Sequence, residues 1–230
     1  MRIPHHALLD GAGLNRQHVF DLADLPADLV APLAPEPHER QLILVGHAGK
    51  QLWDCVQTQG PQTAHPIDHY SVRTVTHWLA HALPLARSRF VFPGIHPIGL
   101  QRLGALAGWH HASPFMVGID AVWGTWFAYR AAVLTDTTLP ASQPLDTPHP
   151  CRTCVGKPCI TACGAGALRG ATLNFSACTA GRLAPNSPCA LGCTARDACP
   201  VGAEHRYADS QIRHGAAGSL AYIRQHFGQG

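Results

Sequence analysis

Eight of the nine cysteines in this 230-residue chain fall between Cys151 and Cys199. They run as Cys151-Arg-Thr-Cys154, Cys159 and Cys163, then Cys178 alone, then Cys189, Cys193 and Cys199-Pro200. Eight thiolates are the complement of two four-iron clusters, each taking four. The first four are bunched closely enough for one loop to wrap a single inorganic core. A cluster pair of this kind passes single electrons, at potentials set by burial and by hydrogen bonds to sulfur.

The spacing follows the bacterial ferredoxin run, in which the fourth cysteine of one motif crosses to the other cluster. Crosswise ligation assigns Cys151, Cys154, Cys159 and Cys199 to one [4Fe–4S] cluster. Cys163, Cys178, Cys189 and Cys193 then hold the other. Structural zinc also takes four cysteines, usually as two Cys-x-x-Cys knuckles separated by a longer loop. Here only Cys151 and Cys154 form such a knuckle, and the spacings elsewhere suit iron–sulfur better. Disulfide frameworks belong to short secreted chains with spread spacings. Cys55, outside the module, reads as a small buried apolar residue.

Composition bounds the rest. Apolar residues make up 46% of the chain and charged residues only 13%, with 22 glycines and 19 prolines, which indicates a loop-rich globular protein rather than a disordered one. A net charge of +3 is too small to indicate nucleic acid as a partner. No stretch approaches the ~18 consecutive apolar residues of a membrane span, and the N-terminus lacks a secretory apolar core. A cytoplasmic protein is therefore expected.

The elements that position this chemistry come before it in the chain. Val19–Leu25 reads as one or two helical turns, and Gln41–Gly46 as a buried strand. Val72, Val75, Leu79 and Leu83 recur at helical spacing from Asp68 until Pro84 stops the helix. Arg89–Pro93 reads as a strand, and Ile98–Leu106 as a helix ended by Ala107-Gly108. Pro114–Ile119 and Trp126–Leu134 read as strands joined by a turn around Asp120 and Gly124. Strands alternating with helices imply an α/β layer, and with the cysteine module appended the fold class is α+β. The Pro-, Thr- and Ser-rich stretch from Asp136 to Pro150 places the domain boundary near residue 140, giving domains 1–140 and 141–230. Ser219–Phe227 reads as a short closing helix.

Several polar residues compete for a site. Tyr70, Thr74, His77 and His81 form one helical stripe, read as a solvated face rather than a metal pair. His110-His111 is a loop pair. Tyr129 and Arg130 adjoin in a strand and so point to opposite faces.

The stretch Ala107-Gly108-Trp109, followed by Gly124-Thr125-Trp126-Phe127 and Leu134-Thr135-Asp136, resembles the corrinoid-dependent iron–sulfur reductases of the epoxyqueuosine reductase type. Asp68-His69-Tyr70, Asn174–Thr179 and Gly192–Pro200 resemble further segments of that family, in the same order. The likeness extends over about residues 40–202, and Trp126–Ala131 is equally similar to the cobalamin-processing proteins. It implies a nitroreductase-like layer followed by a ferredoxin-like two-cluster module, binding cobalamin, with FMN in the same pocket as the alternative. Catalytic roles at His96 and Tyr70 and cofactor contacts at His96, His110, Gly124, Trp126, Tyr129 and Arg130 follow from it. So does a low-potential electron donor such as a ferredoxin or flavodoxin. The family's catalytic acid segment is replaced here by Gly94-Ile95-His96-Pro97, which argues against epoxyqueuosine reduction itself. Reduction or processing of the corrinoid is the expected activity, with a non-catalytic electron carrier as the competing reading.

Overall fold

A computed structural model describes residues 2–60, 63–95, 97–170 and 172–227. His96 lies outside the described residues. The chain divides into two compact units, the first Met1–Trp109 with Phe127–Asp146, the second His110–Trp126 with Thr147–Gly230.

The first unit contains, in order, α1 (His6–Gly11), β1 (Arg16–Asp21), α2 (Ala27–Val30), β2 (Gln41–Ala48), α3 (Gln51–Thr58), α4 (Pro66–Ala82), β3 (Ser88–Phe92), α5 (Leu100–Leu106) and β4 (Phe127–Thr135). Its sheet has the order β1-β2-β4-β3, and every neighbouring pair is antiparallel. β2 and β3 therefore run parallel to each other with β4 inserted between them. The helical crossover α3–α4 links these two strands, so the alternation of strand and helix read from sequence is real. The intervening β4 makes the sheet antiparallel, and the unit is a mixed α/β structure around a small antiparallel sheet.

The two inner strands carry the core. Leu42, Ile43, Leu44 and Val45 on β2, and Ala131 to Leu134 on β4, are fully buried. A continuous apolar run is what a strand covered on both faces requires. α4 starts with Pro66 in its first turn and stops before Pro84, burying Tyr70, Val75, Trp78 and Leu79, while Trp78 Nε1 donates to Pro4 O at 2.9 Å. Tyr70 is thus buried rather than part of a solvated stripe, whereas His77 and His81 are exposed. The Pro- and Thr-rich stretch after β4 is ordered against this unit. Buried Gln41 bonds Leu139 N, Leu139 O and Thr137 Oγ1, and Ser142 exchanges two hydrogen bonds with Val19 on the edge strand β1. Covering an edge in this way removes a row of unpaired backbone groups.

Three sequence expectations are corrected. Val19–Leu25 begins as the end of β1 and passes into a short 3-10 turn, because pairing with β2 outweighs a weak helical pattern. Pro114–Ile119 is not a strand. Proline there cannot donate to a ladder, Met116 has φ of 64°, and only isolated bridges, His111 to Ile119 and Asp120 to Gly124, form. The closing helix runs over Asp209–Phe227, well upstream of Ser219.

The second unit contains α6 (Pro150–Thr153), α7 (Pro158–Thr161), a two-stranded ribbon of β5 (Leu168–Arg169) and β6 (Thr172–Leu173), α8 (Phe175–Leu183), α9 (Thr194–Asp197) and α10 (Asp209–Phe227). Its small apolar core groups Phe115, Cys159, Leu168 and Ala195. Among the described residues no helix is long and apolar enough to cross a membrane.

Replacing fully buried Leu134 by Ala should destabilise the chain by about 2–5 kcal/mol through the cavity it leaves. Leu85→Ala, at a position 95% exposed, should change stability by no more than about 0.5 kcal/mol. Urea unfolding of both variants reads the difference, and equal midpoints would contradict this placement of the core.

Candidate functional site

The cysteines sort into two quartets. In the first, His149 Nδ1 accepts a hydrogen bond from Cys151 N at 3.2 Å and caps α6, which carries Cys151 and ends at Cys154. Lys157, with φ of 39°, turns the chain into α7, where Cys159 is buried. Cys199 comes from a distant segment after α9. Cys151, Cys154, Cys159 and Cys199 line one small cavity, walled by Phe115, Ile119, Pro158 and Val201. Burial pushes the Cys151 thiol up, and the charges of Cys199, Cys159 and Cys154 push it further, against the pull of Lys157. Cys159 is raised by burial, then by Cys199 and Cys154. Cys199 is raised by burial and by Cys154, against a backbone N–H from Val201.

The second group is Cys163, Cys178, Cys189 and Cys193. Burial raises the Cys178 thiol on α8, with further pushes from Cys193, Cys163 and Cys189 and a lowering pull from Arg182. Cys193 is exposed as a residue, but burial of its sulfur raises the thiol; the backbone N–H groups of Arg196 and Ala195 oppose the rise, and the charges of Asp197 and Cys189 add to it. Gly164 N donates to Thr194 Oγ1 at 3.0 Å and ties the Cys163 loop to α9. Arg182 donates to the carbonyls of Cys189, Ala190 and Ala216 and to Ser219 Oγ, fixing the loop against α10.

All nine cysteines are free thiols. Among the described residues, no three His, Cys, Asp or Glu side chains come together around a single metal ion. A four-iron cluster places each thiolate on its own iron, so its donors surround a volume rather than a point. Four thiols around an apolar-walled cavity fit that chemistry. Raised thiols favour loading at higher pH, since metal binding must displace their protons.

The remaining expected site residues are placed as follows. Tyr70 OH donates to Ala12 O at 3.2 Å and lies beside Cys55, and burial with that neighbour raises the phenol to about 12. Successive residues on β4 point to different neighbours. Tyr129 stacks on Trp109 with ring centroids 6.5 Å apart and lies against Gly104, where a Cβ would overlap the phenol. Arg130 Nε donates to the buried His47 Nδ1 at 2.9 Å, and its guanidinium lies 3.7 Å from Asp68. These residues belong to the first unit. In the second unit, the His110 ring lies against Gly118, and burial lowers its basicity, followed by the charge of His111. His111 bonds Thr147 Oγ1 at 3.1 Å and pairs with His149. Trp126 is fully buried beneath Arg196. Gly124, with φ of 59°, lies so close to Val201 O that any Cβ would overlap it. That approach brings the His110–Trp126 segment against the chain that follows Cys199.

Arg182 and Arg196 are not among the residues singled out from sequence. Their signal is weak: each is an arginine a few residues from a cysteine, which composition alone does not distinguish from a surface charge.

No protein-family description matches the chain, and no curated protein does. Solved structures do share its fold. Epoxyqueuosine reductase from Streptococcus thermophilus superposes with a TM-score of 0.55 at 14% identity, over 86% of this chain and 65% of its own. An epoxyqueuosine reductase solved with an epoxyqueuosine-modified tRNA-Tyr stem loop gives 0.55 at 15%, over 91% of this chain and 68% of its own. The catabolic reductive dehalogenase NpRdhA, in complex with 3-bromo-4-hydroxybenzoic acid, gives 0.55 at 12%, over 93% of this chain and 34% of its own. At these identities the likeness is one of fold, and the chain spans 65% of the length of the first of them.

Gly124→Ala should destabilise the second unit by roughly 1–3 kcal/mol from its left-handed backbone alone. Denaturant unfolding of the variant checks this, and wild-type stability would mean the contact with Val201 is not needed.

Proposed function

We propose that this chain is an iron–sulfur redox protein whose two [4Fe–4S] clusters supply electrons to a bound corrinoid, which it reduces or processes. What supports the cluster assignment is the gathering of Cys151, Cys154, Cys159 and Cys199 around one apolar-walled cavity, together with the influence of Cys163, Cys189 and Cys193 on Cys178. Cys151, Cys154, Cys159 and Cys199 hold one cluster; Cys163, Cys178, Cys189 and Cys193 hold the other. When bound, each cluster takes up and releases single electrons. The chain's own part is to supply thiolates, to aim backbone N–H groups of Ala195, Arg196 and Val201 at sulfur, and to exclude water with Phe115 and Ile119.

The corrinoid enters from the resemblance of residues 103–136 and from the shared reductase fold. Of the residues assigned to it, Trp126 and Gly124 are used in packing, Tyr129 rests on Gly104, and Arg130 is held by His47 and Asp68. Each of these residues is engaged within its own unit, and cobalamin binding rests on the likeness, with a low-potential ferredoxin or flavodoxin as the electron donor.

Protein purified without oxygen should contain about eight irons and as many sulfides, for two clusters of four. Cys151→Ala combined with Cys199→Ala should leave about four irons, because both residues serve one cluster. Cys151→Ala combined with Cys193→Ala should deplete both clusters. Equal iron in the two double variants would refute the crosswise assignment.

Adding hydroxocobalamin under a low-potential reductant should shift the corrin bands and then bleach them to cobalt(I). Binding of FMN in its place would point to a flavin reductase. Binding of neither would leave an electron carrier.

A further inference from the structure

The loop that closes the first cavity, Cys154-Val-Gly-Lys-Pro-Cys159, carries features that ligation alone does not use. Val155 is 93% exposed, and its carbonyl oxygen lies 4.0 Å from Cys154 Sγ. Lys157 lines the cavity beside Cys151, Cys154, Cys159 and Cys199, yet both it and Arg152 are exposed. Another wall of the same cavity has a similar outer side. Phe115 is buried against the cavity, while the next two residues, Met116 and Val117, are exposed.

Acid is scarce around these cations. Among the described residues, neither Arg152 nor Lys157 forms an ion pair. Residues 110–126 and 147–163 contain one carboxylate, Asp120, which is buried and accepts from Val122 N and Trp123 N. On the Cys199 segment, Asp197 lines a different cleft beside Arg206 and Arg213, and Glu204 lies 3.7 Å from His205 Nε2. Exposed apolar side chains edged by charge of one sign suit a protein partner of the opposite sign, which the charge steers and orients. Electron transfer weakens steeply with distance, so a protein donor has to dock where little chain covers the cluster. Val155, bonded directly to a first-cluster cysteine, is open to solvent.

We propose that the loop tip formed by Arg152, Val155 and Lys157 is the docking surface for an acidic protein electron donor, and that the first cluster is where electrons enter. The proposal rests on the two-cluster reading and deepens it. One electron leaves the donor's reduced centre, which is oxidised by one, and reduces the cluster ligated by Cys151, Cys154, Cys159 and Cys199 by one. No bond forms or breaks. The basic pair draws in and orients the donor, and Val155 gives the apolar contact nearest to Cys154.

The test follows electron exchange between the full chain, loaded with iron and sulfide, and a plant-type [2Fe–2S] ferredoxin, an acidic one-electron carrier. It is run by anaerobic stopped flow in the downhill direction, after iron and sulfide have been measured. The wild-type second-order rate should fall as salt is raised, because the attraction is screened. Arg152→Glu combined with Lys157→Glu should slow exchange about tenfold at low salt, and the corresponding Gln pair about threefold. Arg213→Glu combined with Arg224→Glu, on α10, changes the net charge as much as the first pair and should leave the rate within about twofold. Methyl viologen, a cationic carrier, should not be slowed by the Arg152/Lys157 variants. A wild-type rate that does not fall with salt, unchanged exchange in both Arg152/Lys157 pairs, or equal slowing by the α10 pair or with methyl viologen, would overturn the proposal. If the Glu pair loads too little iron, the Gln pair and the wild-type salt series decide it. Wild-type protein that binds no iron or sulfide would sink the two-cluster reading instead, which separates the two failures.

Discussion

Eight thiols packed into one small unit face an electrostatic constraint that the rest of that unit answers. Burial raises the cost of ionising each thiol and the neighbouring thiolates add to it, so Cys151, Cys159, Cys178, Cys193 and Cys199 are all held above the ordinary value. The opposing influences are local and specific. Lys157 acts on Cys151, Arg182 acts on Cys178, and backbone N–H groups of Ala195, Arg196 and Val201 act on Cys193 and Cys199. The single turn of α9 supplies the N–H groups of Ala195 and Arg196.

The segment His110–Trp126 meets the same constraint from outside the cysteine sequence. It is a loop by secondary structure, yet it supplies Phe115 and Ile119 to the wall of the first cavity and Thr125 and Trp126 to the seat of Arg196. Gly124 and Gly202 let the two backbones touch, since a Cβ on either would overlap the other strand of chain. A segment between a helix and a strand of the first unit is thereby an integral part of the second. Within the first unit, the inner pair β2 and β4 has a different role. These two fully buried strands give the mixed α/β layer its core, with α4 packed alongside through Val75, Trp78 and Leu79.

How much was legible beforehand follows from the range of the forces concerned. The β2 run, the α4 stripe and its proline stop, β3, α5 and β4 were readable, because apolar periodicity and Pro/Gly punctuation act within one element. α3 was missed although Leu52, Trp53 and Val56 repeat at helical spacing, a signal that was present. α8 was also missed, with Asn174 accepting from Ala177 N as its cap. Antiparallel insertion of β4 between β2 and β3 was not readable, since pairing partners far apart in the chain leave no local mark.

The cysteine positions by themselves determined the chemistry to look for and its division into two sets of four, because ligand number and spacing are properties of the chain. Which neighbours surround those thiols was decided only on folding. Phe115 and Ile119 in the wall of the first cavity lie more than thirty positions upstream of its first cysteine, and the cation on Trp126 bonds a residue seventy-one positions away at Thr125. Burial, countercharge and close backbone approach depend on distances through space, and those exist only in the tertiary structure.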